Sequence, residues 1–142
     1  MTTRGEFVLD GSVAMAWYFA DESDPYADSV LAALGSARAL VPSLWPLEVA
    51  NAVLVGERRR RSTEAQAAAW LGILGSLAIE VDGETTSHAW SSTPALARSQ
   101  NLSAYDAAYL ELAMRRGLPL ATLDDKLRAA ARAVGVPLFA AR

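Results

Sequence analysis

Short apolar runs recur along this chain at intervals that leave room for a helix between each pair. Phe7 to Leu9, Ala39 to Val41, Ala78 to Val81, Leu118 to Ala121 and Val136 to Phe139 read as buried strands, each with polar or turn residues nearby. The segments between them carry helical spacing. Tyr105, Ala108, Tyr109, Leu112 and Ala113 form one apolar stripe, and Leu127, Ala130, Ala131 and Val134 form another. Trp45, Val49, Ala52, Val53 and Gly56 predict a further helix, which Ser62 and Thr63 interrupt. Thr63 and Gln66 then have the spacing of a capping box, and Ala67, Trp70, Leu71, Leu74 and Leu77 fall on one face of the helix it opens. Residues 44–77 therefore predict a helical hairpin. Asp24 before Pro25 marks an earlier helix start, because aspartate caps well and proline is tolerated at the first helical position.

Strands alternating with helices imply an α/β fold with a mostly parallel central sheet flanked by helices. Pro119 and Pro137 each lack a backbone donor, so they belong at strand starts or edges. The chain has 142 residues, 52% of them hydrophobic, and shows no internal repeat, low-complexity tract or linker; one compact domain over residues 1–142 is expected.

Composition then narrows the chemistry. There is no cysteine, which excludes disulfides, thiolate metal sites and cysteine nucleophiles and is consistent with a reducing compartment. The lone histidine, His88, leaves little room for histidine-rich metal sites or a Ser-His-Asp triad, and it reads as a surface or satisfied residue. Met1 to Glu6 lack the apolar stretch of a signal peptide, and no apolar run approaches the length of a membrane helix; a cytoplasmic location is expected. A formal net charge of −3 gives no global attraction to nucleic acid, so any such binding must be local. The basic residues are nearly all arginine, with Arg58 to Arg61 in one block that fits a solvated helix end or an RNA or partner contact.

Four carboxylates stand out by position. Asp10 follows the first apolar run and precedes Gly11-Ser12, so it falls where a strand ends. Glu48 lies just after Ser43, a candidate cap, and Pro46, which suits a first turn; Asp106 is three residues after Ser103; Asp124 follows Leu118 to Ala121 through Thr122 and Leu123. Each acid singly is explained by helix capping and the macrodipole. Asp125, three residues after Thr122, reads as the cap of the last helix, which leaves Asp124 as the inward-facing group. Together, however, the four would repel one another at the carboxyl edge of a parallel sheet, the usual functional crevice. A hard cation with oxygen ligands resolves that repulsion, and Ser12, Asn51 and Thr122 accompany the acids as groups able to orient them.

The segments Val8-Leu9-Asp10-Gly11-Ser12-Val13, Glu48-Val49-Ala50-Asn51, Leu102-Ser103-Ala104-Tyr105-Asp106-Ala107 and Ala121-Thr122-Leu123-Asp124 resemble, in order and spacing, the motifs of PIN-domain nucleases. More closely, the chain resembles VapC-type toxins of bacterial toxin–antitoxin pairs, over Phe7 to Phe139. The resemblance implies Mg²⁺ or Mn²⁺ held by Asp10, Glu48, Asp106 and Asp124, endoribonuclease activity, a homodimer and a VapB-like antitoxin. Two other readings compete. A phosphotransfer domain, phosphatase-like or receiver-like, also places an aspartate after an early strand near Mg²⁺, but the phosphatase needs a second aspartate where Ser12 stands, and neither scheme finds a lysine at a strand end. The other is a noncatalytic interaction module in which the acids only cap helices.

The remaining conspicuous residues read as structural. Trp17, Trp45, Trp70 and Trp90 are expected in core or interface, with Trp45 and Trp70 placed to border a groove on the hairpin. Asp21 with Glu22, and Asp82 with Glu84, are expected to cap helices or solvate loops.

Overall fold

The computed structural model describes residues 5–141. The leader reading of the first residues falls in part on residues 1–4, which lie outside the described residues. Four strands form one sheet: β1 (Glu6–Leu9), β2 (Arg38–Val41), β3 (Ile79–Val81) and β4 (Leu120–Ala121), in the order β3-β2-β1-β4 and parallel throughout. Phe7, Val8 and Leu9 are successive in β1 and all fully buried. Because successive strand residues point to opposite faces, both faces of the sheet must be covered. The covering helices are α1 (Gly11–Tyr18), α2 (Pro25–Ala33), α3 (Trp45–Arg58), α4 (Glu64–Gly75), α5 (Thr85–His88), α6 (Ser92–Gln100), α7 (Ala104–Arg116) and α8 (Asp125–Ala133). None is long and apolar enough to cross a membrane.

Strand order fixes where function can sit. The chain steps from β1 to β2 to β3 in one direction, and β4 then pairs on the other side of β1. The direction reverses between β1 and β4, and beyond their carboxyl ends a crevice opens at the switch point.

The expected α/β alternation is present, with local departures. Val136–Phe139 is not a full strand: Leu138 makes an isolated parallel bridge to Leu120, with Leu120 N–H donating to Pro137 O and Phe139 N–H to Leu120 O. Pro137 has no donor to extend this pairing, and Pro119 lies just ahead of β4, as its missing N–H requires. The third strand is an edge, with Glu80 and Val81 exposed, rather than a buried run. Thr63 and Gln66 form the capping box of α4, and Asp24 caps α2 by accepting from Tyr26 and Ala27 N–H. Ser43 does not cap α3. Leu44 holds that position without a side-chain bond, and Ser43 donates its own N–H to Thr85 Oγ1 at 3.1 Å.

Helix α7 is buried on nearly every side from Ala107 to Ala113, whereas Tyr105, assigned from its spacing to the apolar stripe, is exposed. Small residues at 107, 108 and 113 let neighbouring elements approach the helix closely, and Gly117 at φ 64 ends it in the left-handed conformation that favours glycine. Trp17 donates to Ala27 O at 2.7 Å, Trp45 is buried and Trp70 stacks on Tyr18. Trp90 departs from the core expectation and is 98% exposed. An open groove of about 220 Å³ includes Trp45, Val49, Leu71 and Leu74 in its lining, but not Trp70.

Two ion-pair groups correct the reading of the lesser acids. Asp82 is buried, not a solvated cap. It accepts from Arg115 Nη2 at 2.7 Å and Nη1 at 3.1 Å, while Arg115 Nε also donates to Glu111 at 2.9 Å. Asp21 and Glu22 pair with Arg61 at 2.8 Å each, and Arg61 lies over the Phe19 ring, so this member of the arginine block is turned onto the protein. Burial opposes ionisation of Asp82, but hydrogen bonds from Arg115 and Thr85 prevail and hold its carboxyl below the usual carboxylate range. A lowered carboxyl contributes stability that is present above its unfolded value and lost as pH falls through the folded one. Arg115→Met is expected to cost about 3 kcal/mol at neutral pH, because two buried carboxylates lose their cation. Urea unfolding should show that loss shrinking as pH is lowered into the acid range; a cost that does not change with pH would refute the assignment.

Candidate active site

Asp10, Glu48, Asp106 and Asp124 line one open pocket of about 230 Å³, together with Gly11, Ser12, Met15 and Val49. Asp10 terminates β1 and stands at the N-cap of α1, Glu48 is in the first turn of α3, Asp106 is in the first turn of α7, and Asp124 is the N-cap of α8. Four separate elements thus meet at the switch point. Among the described residues no group of three or more acids or histidines is drawn close enough to hold a metal ion as the side chains stand; the four carboxylates line the walls of the pocket.

Asp10 is the most constrained of them, at 8% exposure. Its Oδ2 accepts from Ser12 Oγ at 2.6 Å and from Thr122 Oγ1 at 2.7 Å. Each of those hydroxyls in turn accepts a backbone N–H: Leu123 donates to Ser12 at 3.0 Å and Asp124 to Thr122 at 3.0 Å. With their acceptor sides engaged by amides, both hydroxyl protons are directed at Asp10. Pairing of β1 with β4 makes this possible, because Asp10 N–H donates to Ala121 O and sets the two strand ends side by side. Among the described residues no hydrogen bond reaches Oδ1.

The last helix reverses one expectation. Asp124, not Asp125, is its cap, since the Asp124 carboxylate accepts from Leu127 N–H at 3.0 Å. Asp124 both caps and lines the pocket, and the Thr122 hydroxyl is engaged with Asp10 and Asp124 N–H rather than with a box to Asp125. Ser103 accepts from Asp106 N–H at 3.1 Å, so capping and pocket lining coexist there as well. Asn51 is exposed and, among the described residues, makes no hydrogen bond to any of the four acids. His88 lies elsewhere, beside Ser92 and Glu111.

Tyr109 was hidden from sequence reasoning. Its spacing marks it as core, and it is fully buried, yet its hydroxyl donates to Glu48 Oε1. Only the polar tip of an otherwise apolar ring could have hinted at this.

Electrostatics oppose the gathering of these acids. Burial raises Asp10 despite its two hydroxyl donors, and the charges of Asp106 and Asp124 add to the rise. Partial burial raises Glu48 against the Tyr109 hydrogen bond, with Asp10 and Asp106 contributing; burial and Asp124 raise Asp106 against Ser103 and Lys126.

A PIN domain family model matches residues 7–133, nearly the whole chain. The chain belongs to the PIN domain family. PIN domains are typically nucleases and generally use divalent metal ions. No curated protein matches the chain. Among solved structures, PAE2754 from Pyrobaculum aerophilum is similar at 23% identity, with 89% of this chain and 84% of that one covered and a TM-score of 0.58. Mycobacterium tuberculosis VapC20 (Rv2549c), a sarcin–ricin loop cleaving toxin, is similar at 19% identity, with 87% and 94% covered and a TM-score of 0.59. At these identities the likeness to both concerns the fold.

Raised carboxyl values carry a sign. The folded state holds these protons more tightly than the unfolded chain, so stability falls as pH rises from the ordinary carboxylate range through the raised values. In chelator, Asp106→Asn is therefore expected to stabilise the protein at pH 7, with a smaller gain at pH 5. Denaturant midpoints at the two pH values test this; a variant less stable than the parent at pH 7 would refute it.

Proposed function

We propose that this PIN domain, spanning residues 1–142, is a divalent-metal-dependent endoribonuclease and the toxin of a type II toxin–antitoxin pair. The observation that carries the reading is the meeting of four carboxylates from four elements on one pocket at the switch point of a PIN sheet. The donor set suits a hard cation in kind: it is all oxygen, and burial, reinforced by repulsion among the acids, raises three of them. Asp10 and Asp106 would hold Mg²⁺ or Mn²⁺, with Glu48 and Asp124 completing the charge. When bound, such an ion acidifies water and offsets charge on a phosphodiester.

The chain's own residues account for the rest. Ser12 and Thr122 fix Asp10 by its Oδ2 and leave Oδ1 for the pocket. Asp124 is held by its capping bond to Leu127, and Asp106 by the first turn of α7. No histidine or cysteine is required. The fold likeness to a VapC toxin supports the toxin assignment, and with it a VapB-like antitoxin; the reading also includes a homodimer and a cytoplasmic location, which follow from the resemblance of the motifs to VapC-type toxins.

Asp106→Asn is expected to abolish Mg²⁺-dependent RNA cleavage while the protein remains folded by circular dichroism. Cleavage at the parent rate would refute the site. Calorimetric titration with Mn²⁺ separates the competing readings: a folded protein that binds no metal at millimolar concentration would favour an interaction module.

A further inference from the structure

Glu48 differs from Asp10 in how it is held. It sits on an exposed first turn of α3, where a long carboxylate side chain is free to turn to solvent, and it is repelled by Asp10 and Asp106. Among the described residues, what opposes that is one bond, donated to Oε1 by the hydroxyl of Tyr109. Tyr109 lies on α7 three residues beyond Asp106, so a single helix carries one pocket acid and the donor that grips another. Its ring is fully buried, which fixes the hydroxyl in space. A phenol has one O–H to give and is protonated at neutral pH, so at Glu48, an acceptor-only carboxylate, it serves as the donor.

We propose that Tyr109 is a positioning residue that latches Glu48 of α3 to α7 and keeps its carboxylate turned toward Asp106 in the acid pocket. A purely packing role would require the ring alone, and phenylalanine would serve it. The latch rests on the metal-dependent reading for its purpose, but its existence can be tested without metal.

The test is a cycle of Tyr109→Phe, Glu48→Ala and the double variant, each titrated with Mn²⁺ by calorimetry in the absence of RNA and each unfolded with denaturant in chelator. Tyr109→Phe is expected to weaken Mn²⁺ binding about 10-fold or more, as loss of a partner that orients a ligand does, and to have no further effect once Glu48 is alanine. The unfolding midpoints should couple in the same way. Unchanged Mn²⁺ affinity in Tyr109→Phe, or an equal loss with and without Glu48, would overturn the latch in favour of packing. If the parent protein binds no Mn²⁺, the metal reading fails on its own. The midpoints then decide the latch, with coupling supporting it and additive losses overturning it.

Discussion

A carboxylate buried at the end of the central strand constrains much of this molecule. Asp10 is removed from water and faces three other acids across one pocket, so it would be expelled or neutralised unless the surroundings were arranged for it. The arrangement is a short relay: backbone amides of the turn after β4 orient two hydroxyls, and the hydroxyls hold one oxygen of Asp10. That relay exists only if β4 pairs directly with β1, and such pairing requires the chain to pass through β2, β3 and three further helices before returning. Sheet order and site chemistry are therefore one constraint seen at two scales.

Helix α7 serves both scales. Its alanines allow a close approach to its neighbours, and its burial on nearly every side makes it rigid. Its polar groups serve different places along its length. Asp106 enters the pocket from the first turn, Tyr109 reaches Glu48 from the next, and Glu111 and Arg115 join buried Asp82 near the other end. A displacement of α7 would therefore disturb the pocket and the Asp82 cluster together.

Much of this was legible in the sequence because local signals and tertiary needs agreed. The capping box at Thr63 and Gln66, the Asp24-Pro25 start and the four acids at helix starts depend on spacing over a few residues, and spacing survives without coordinates. The misreadings share a different cause. Asp82 looked like a loop acid because its partner is 33 positions away. Val136–Phe139 looked like a strand because it is apolar, but strand length depends on what lies alongside, and among the described residues a single bridge forms beyond β4. Asp124 and Asp125 are adjacent acids, and which one caps depends on the backbone turn set by Thr122. Tyr109 was read by its ring and not by its hydroxyl. In each case the deciding contact is long-range or depends on atomic direction, neither of which periodicity encodes.

The distribution of cations sharpens the meaning of the acid pocket. The chain has 13 Lys and Arg against 16 Asp and Glu, so positive charge is not scarce overall. Yet the ion pairs formed lie elsewhere: Arg38 with Glu6 and Glu80, Arg61 with Asp21 and Glu22, Arg115 with Asp82 and Glu111. Among the described residues no salt bridge reaches Asp10, Glu48, Asp106 or Asp124. Lys126 acts on Asp106 through space, which leaves most of the pocket's charge without a protein counter-ion. A fold built only for stability would place an arginine there, since an unpaired buried carboxylate costs more than a paired one. Keeping the pocket free of such a pair accepts that cost, and leaves oxygen donors available to a cation from solution.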